Sequence, residues 1–483
     1  MAVLSKLQPE RVFHYFEELC QIPHGSHNTK QVSDWLANFA KERGLWYSQD
    51  EANNIIIKKP AAKGCEAAPT VILQGHCDMV CEKTPESNHD FTKDPLELMI
   101  EGDFVTAKDT TLGGDDGIAV AYILALLEDD TLRAPAIEAV ITTDEEVGLL
   151  GAKALDTSQL EGRRLINLDS EEEGYLWVGC AGGLRALSTL NVERVSAKGA
   201  VMDVVIDGLK GGHSGAEIDK NRANSNKLMG RFLWELGKTV PYRLAGLEGG
   251  LKDNAIPRST TAKIVVEASA QKDVFTAAIK CQQDLRGEYS GSDEGITIRC
   301  RQYGEAECRV LKDGDKEKAL FLLNFAPWGV VKMSGDIEGL VETSSNPGVM
   351  KLEEEKFLLD FSIRSSKGSA KKALAEKLTA LTEFLGGSCA MSGDYPAWEY
   401  RKDSPLRDLM ADTYEEMFGE KPLVQAIHAG LECGLFYEKM PGLDCVSFGP
   451  TMHDIHTTEE TLSISSTERM WNYLIKVLEK LAG

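Results

Sequence analysis

Residues 70–78 read TVILQGHCD, three large aliphatic side chains followed by Gln74 and Gly75 and ending in His76, with Asp78 two positions on. A short apolar run of this kind is a strand buried on both faces. This one delivers a histidine directly at its carboxyl end. The pattern recurs on either side. Residues 54–58 (NIIIK), 136–142 (AIEAVIT), 165–168 (LINL) and 444–448 (DCVSF) are further short apolar strands. Asp144-Glu145-Glu146 follows the second of these, Asp169 the third, and Met452-His453-Asp454-Ile455-His456 comes shortly after the last. Between them lie helices. Residues 29–43 put Val32, Trp35, Leu36, Phe39 and Ala40 on one face, with Gly44 as a C-cap, and residues 117–127 have almost no polar face. Strands alternating with helices predict an α/β catalytic domain, a mixed, largely parallel sheet with helices on both faces.

The middle of the chain differs. Strands expected at 201–206, 262–267, 296–301 and 357–363 are joined by polar amphipathic helices, and none ends in acids and histidines. This predicts an inserted α+β lid domain of βαβ type over residues 187–395. The catalytic domain would then comprise residues 1–186 and 396–483. Two similar halves within the insert are compatible with its length.

A chain of 483 residues with 42% hydrophobic content can bury a core too large for one domain. Its net charge of −23 excludes nucleic acid and anionic membrane surfaces as partners, because phosphate neutralisation needs clustered Lys and Arg. The first sixteen residues hold no apolar leader core, and no run approaches the length of a membrane span. Eleven cysteines, dispersed and without a CxxC pair, suit free thiols in a reducing cytoplasm.

His76, Glu145 with Glu146, Asp169 and His456 all fall just past strands, where α/β sheets bind ligands. Imidazole and carboxylate without thiolate is the donor set of a borderline divalent cation. Each piece alone has an ordinary structural explanation: a hydrogen-bonded histidine, a solvated acidic loop, a glycine turn at 113–117 entering a helix. Their coincidence at equivalent strand ends favours a metal site. In His76-Cys77-Asp78 an extended backbone turns both polar side chains to one side, so Asp78 can orient the imidazole. Cys77 is expected to be buried and inert. Glu145 and Glu146, pointing apart, could divide into a ligand and a general base.

With these motifs the chain resembles the co-catalytic metallopeptidases of the aminoacylase and carboxypeptidase G type. Within that clan it is most similar to the bacterial aminoacyl-histidine (Xaa-His, carnosinase-like) dipeptidases. The matching runs are residues 74–80 (QGHCDMV), 111–117 (TLGGDDG), Glu145-Glu146, 167–174 (NLDSEEEG), 209–215 (LKGGHSG), 254–258 (NAIPR) and 427–436 (IHAGLECGLF). The resemblance implies two divalent ions, zinc with cobalt or manganese able to substitute. It gives Asp115 as the bridge, His76 and Asp169 on one ion, and Glu146 and His456 on the other. It gives Glu145 as general base, Asp78 as the residue orienting His76, and His213 of the insert as oxyanion donor. Arg364 would hold the substrate carboxylate, with Arg258 as competitor, and Asn254, Gly430 and Glu432 would line the site. His453 competes with His456, the register from Gly449-Pro450-Thr451 favouring the latter. Asp116 stands where the clan more often has Asn.

The implied activity is hydrolysis of dipeptides with a free N-terminus, Xaa-His and β-alanyl-histidine among them. An N-acyl amino acid amidase of the same clan is the alternative. A catalytically inactive metal-binding interaction protein is a second, against which Glu145 argues, since a structural metal site needs no base. Gly212-His213-Ser214-Gly215-Ala216 lacks the second glycine of a serine-hydrolase nucleophile elbow. Small dipeptides are the expected partners, and a homodimer is compatible with the sequence.

Overall fold

The computed structural model describes residues 3–483, which form two compact units. The first runs to Cys180 and resumes over Tyr400–Ala426 and Leu431–Gly483; the second comprises Ala181–Glu399 and Ile427–Gly430. The four residues Ile427–Gly430 belong to the second unit because the Ala181 N–H is shared between the carbonyls of Ile427 and Ala429, at 3.1 and 3.0 Å.

The first unit is built on an eight-stranded mixed sheet. Its centre is four parallel strands in the order Ile137–Thr142, Val71–His76, Arg164–Asn167, Asp444–Ser447. Antiparallel pairs extend it on both sides, so the sheet is parallel only at its core. Every residue of Val71–His76 and Ile137–Thr142 is buried, as a strand covered on both faces requires. Register places His76 opposite Thr142 and Gln74 opposite Asn167, so the residues just past these strands emerge side by side. The helix Gly114–Glu128 is buried along nearly its whole length. Asp115 and Asp116 depart from helical dihedrals, so regular winding starts only at Gly117. A smaller four-stranded sheet carries the hairpin Met452–His453/Thr461–Ser463, paired onto Phe104–Ala107.

The second unit corrects the expectation of βαβ units, because all its strand pairs are antiparallel. It consists of two βαββαβ modules, one nested inside the other. The outer module has strands Gly182–Asn191, Val341–Leu352, Lys356–Ser365 and Ser388–Tyr395, with helices Asp313–Phe325 and Gly368–Phe384. The inner module has strands Arg194–Asp207, Tyr242–Gly249, Thr260–Val266 and Thr297–Leu311, with helices Ser225–Leu236 and Gln271–Glu288. In each, the spatial strand order is 2-3-1-4, and the two second strands meet at Gly249↔Met350 to make one sheet. Alternate residues Ala200, Met202, Val204 and Ile206 enter a core shared with all four helices, while Val201 packs in a small cluster apart from it. The helices therefore cover a single face, an α+β arrangement.

Candidate metal centre and polar cluster

At the carboxyl ends of the parallel strands, His76 points Nε2 at Asp115 Oδ1, 3.1 Å away, with Asp169 Oδ1 at 4.0 Å. The other oxygen of Asp115 faces His456, whose Nε2 lies 3.0 Å from Oδ2 and 2.8 Å from Glu146 Oε1. One carboxylate thus turns its two oxygens to two different histidines. Three groups of donor atoms lie within 4.8 Å of one another: His76/Asp116/Asp169, His76/Glu145/Glu146 and Asp115/Glu146/His456. His453 is outside all of them. It lies in the hairpin strand with its ring 5.7 Å from that of Phe104, whereas His456 sits in the turn.

Asp78 is the hub behind His76. The His76 Nδ1 donates to the Asp78 carbonyl at 3.0 Å, with the carboxylate at 3.5 Å. The Asp78 carboxylate itself accepts from Ser26 Oγ at 2.8 Å and from the Glu145 N–H at 3.0 Å. The same group therefore orients the imidazole and anchors the loop carrying Glu145 and Glu146. Cys77 is buried, and burial pushes its thiol well above the ordinary range.

The electrostatics favour a cation. Burial pushes Glu145 up to about 8, aided by the carboxylates of Glu432, Glu146 and Asp115 and opposed by His76. Asp169 is raised well above its usual range by burial and by Asp116, Asp115 and Glu145. Burial works against protonation of His76, but Asp115 and Asp78 outweigh it and hold the imidazole well above its ordinary value. His456 is raised to about 10 by its bonds to Asp115 and Glu146. Protons here do what a divalent ion does better: they relieve like-charged carboxylates packed in a low dielectric. The donor set, two imidazoles and several carboxylates, fits a divalent metal.

Asp116 accepts the His76 N–H at 3.1 Å through Oδ2, while Oδ1 has no hydrogen-bond partner among the described residues. Burial and neighbouring charge push its carboxyl well up. Glu432, expected to line the substrate site, is fully buried. Its Oε2 accepts from Gln74 Nε2 and Thr142 Oγ1, both at 2.6 Å, and Gln74 Oε1 accepts from Asn167. This chain cross-braces three strands beneath the donors, while Glu432 Oε1 has no hydrogen-bond partner among the described residues. Sequence reasoning also missed Glu460, which is 3% exposed and whose carboxylate accepts four backbone N–H groups from Leu112 to Asp115.

The second unit holds a separate polar cluster. His213 and Ala255 pair in a two-residue ladder, and the Ser214 N–H donates to the Asn254 carbonyl at 2.8 Å. The Ala216 N–H donates to His213 Nδ1 at 3.1 Å. Because a backbone N–H can only donate, Nδ1 carries the lone pair and the neutral ring has its proton on Nε2. Burial and the Arg364 cation lower the imidazole's pKa, which keeps it neutral. Arg364 Nη2 lies 3.4 Å from that same Nε2, and Nη1 donates to Tyr395 Oη at 2.9 Å. Two donors facing each other mark a place for an anionic or carbonyl oxygen. His428 joins the cluster through Ser344 Oγ at 2.7 Å, and burial with Arg364 lowers its pKa to about 3. Gly430 is packed against Tyr395, where a Cβ would come within 2.7 Å of the ring. Arg258 is exposed with its Nε on the Leu209 carbonyl, which leaves Arg364 better placed beside His213.

An imidazole–carboxylate centre on a parallel α/β core, in a chain that also carries an α+β insert, is metallopeptidase architecture. The chain belongs to peptidase family M20/M25/M40, whose model matches residues 72–480. It is 37% identical over 484 residues to the cytosol non-specific dipeptidase of Escherichia coli, covering 100% of this chain and 99% of that one. Among solved structures it is similar to an aminoacylhistidine dipeptidase from Vibrio alginolyticus, with a TM-score of 0.94 and 37% identity over 99% of this chain and 98% of the other. An aminopeptidase from Bacillus cereus shares the fold, with a TM-score of 0.57 at 15% identity over 99% and 100% of the two chains.

Proposed function

We propose that the chain holds two divalent ions, zinc with cobalt or manganese able to replace it, and with them hydrolyses dipeptides bearing a free N-terminus, Xaa-His and β-alanyl-histidine among them. It is a metallodipeptidase. The observation that carries this reading is the pair of contacts on Asp115, Oδ1 toward His76 and Oδ2 toward His456, in a chain alike over its whole length to two dipeptidases.

His76, Asp169, Glu146 and His456 would hold the ions in pairs, with Asp115 shared between them. The chemistry that two cations would supply there is polarisation of the scissile carbonyl and a lowered pKa for the attacking water. Glu145 takes the proton of that water and returns it to the leaving amine, the relay of a general base. Asp78 holds the imidazole of His76 and the backbone of Glu145 in fixed relation. The second unit is assigned the role of a lid that grips the substrate. His213, with its proton on Nε2, donates to the developing oxyanion. Arg364 binds the C-terminal carboxylate, since a guanidinium matches that group with two parallel bonds. Asn254 and Gly430, flanking His213 and Tyr395, supply the adjoining wall. A cytoplasmic location goes with this reading, supported by eleven free cysteines and by the E. coli relative's name. No helix among the described residues is long and apolar enough to cross a membrane.

Elemental analysis together with a substrate panel tests the proposal. The protein should carry close to two ions, lose activity to chelator and cleave alanyl-histidine and β-alanyl-histidine but not their N-acetyl derivatives. One ion or none in active protein, or a preference for the acetylated compounds, sinks it.

A further inference from the structure

Glu460 lies four residues past His456, in the turn that leads into the strand Thr461–Ser463. Its carboxylate reaches across to residues nearly 350 positions away in sequence. Oε2 accepts the N–H groups of Leu112 and Gly113 at 2.8 and 3.1 Å; Oε1 accepts those of Gly114 and Asp115 at 2.8 and 3.4 Å. These donors lie ahead of the regular winding that the helix Gly114–Glu128 takes up at Gly117, in a segment where Gly113 provides no side-chain cap and the chain leaves helical dihedrals at Asp115. All four residues are buried, so without Glu460 their N–H groups would lack both protein and water partners.

The connections close a ring. From Glu460 the path runs through the Asp115 N–H to the Asp115 side chain, then from Oδ2 to His456 Nε2, and back along the turn to Glu460. The residue is tied through its main chain as well, since the Glu460 carbonyl accepts from Thr106 Oγ1 at 2.9 Å. We infer that Glu460 is the positioning residue of the metal centre, holding the bridging carboxylate of Asp115 and the imidazole of His456 in register. It touches no reacting atom. It acts by fixing the backbone from which Asp115 projects and the turn from which His456 projects, so both ligands move together. The inference rests on the two-ion reading of the site.

The test is a zinc titration by calorimetry on chelator-stripped wild type, Glu460→Gln, Glu460→Asp and Lys439→Met, each with a denaturant-unfolding curve of the stripped protein. Lys439→Met is the control. Lys439 donates to the carbonyls of Ala152, Lys153 and Leu155, so its replacement removes three hydrogen bonds without touching the centre. In Glu460→Gln an amide N–H₂ would confront backbone donors. Its zinc affinity should fall about 10–100-fold, the usual scale for losing an outer support of a ligand. Glu460→Asp should recover part of it, and the control should bind as wild type does even where it unfolds as easily. Cobalt-loaded Glu460→Gln should show an altered visible absorption spectrum. Wild-type affinity for two zinc ions in Glu460→Gln would overturn the inference, as would equal weakening in the control. If wild type itself binds fewer than two, the two-ion reading fails instead.

Discussion

Glu145 and Glu146 are neighbours in one loop, yet their surroundings separate them. Glu146 Oε1 is 2.8 Å from His456, whereas the Glu145 backbone is held by Asp78 and its carboxyl pushed up to about 8. Glu145→Gln should therefore retain both ions and ordinary stability while kcat falls roughly 10²–10⁴-fold, the scale of a lost general base. Glu146→Gln should instead lower the metal content, and metal analysis beside steady-state kinetics separates the two. Near-normal turnover in Glu145→Gln would put the base elsewhere. The histidine pair divides in the same way. His456→Ala should strip or disorder an ion, and His453→Ala should leave occupancy intact, since its ring rests on Phe104. In the second unit, His213→Ala removes a donor whose tautomer is set by the Ala216 N–H. Its kcat should fall about 10²–10³-fold with little change in KM or thermal midpoint, which kinetics and calorimetry together would report.

Among elements, the parallel core was legible because buried strands are continuous apolar runs, and the runs at 71–75 and 137–142 contain few polar side chains. Their carboxyl ends announced His76, Glu145 and Asp169 for the same reason. The insert was less legible. Its alternating strands, such as Ala200 to Ile206, carry period-two signals that are the same for parallel and antiparallel pairing. The nested modules share strand order without recognisable sequence, and only register reveals the seam at Gly249 and Met350. Glu460 and Ser26 gave no signal, because an acidic pair in a Thr-rich turn resembles any solvated loop. A lysine in the insert was equally silent. Lys227 is buried, with Nζ bonded to the carbonyls of Leu323, Asn324 and Ala326 at 2.5, 3.0 and 3.3 Å. It thereby caps the helix Asp313–Phe325 from a neighbouring one. Lys227→Met keeps the stem but orphans those carbonyls. It should cost about 1–3 kcal/mol in denaturant unfolding, and a cost within experimental error would show that water replaces the ammonium.

For the molecule as a whole, ion binding and folding share one equilibrium, because ions that bind only the folded chain stabilise it. Two groups at the centre make the part of its pH dependence that bound ions would remove. His456 is raised to about 10 in the fold from an ordinary value near 6.5. Its contribution is therefore fully present below about 6.5 and is lost as pH climbs through about 10. Glu145 is raised to about 8 from an ordinary carboxylate value. The folded chain thus holds a proton there that the unfolded chain has already released, and stability again declines as pH rises toward 8. Both groups carry the same sign, so together they lower the stability of the chelator-treated chain from about pH 6 to pH 9, while His428 and Lys227, lowered to about 3 and about 7, act with the opposite sign whether or not ions are bound. Divalent ions replace those protons, because a ligating histidine must be deprotonated and the carboxylates gain a cation between them. The metal-loaded chain should escape the decline, and the gap between loaded and stripped thermal midpoints should widen with pH over that range. Zinc binding near pH 8 should also release protons, seen as a calorimetric enthalpy that varies with the ionisation enthalpy of the buffer. A gap that stays constant or narrows would mean that the ions do not bind through His456 and the carboxylates around it.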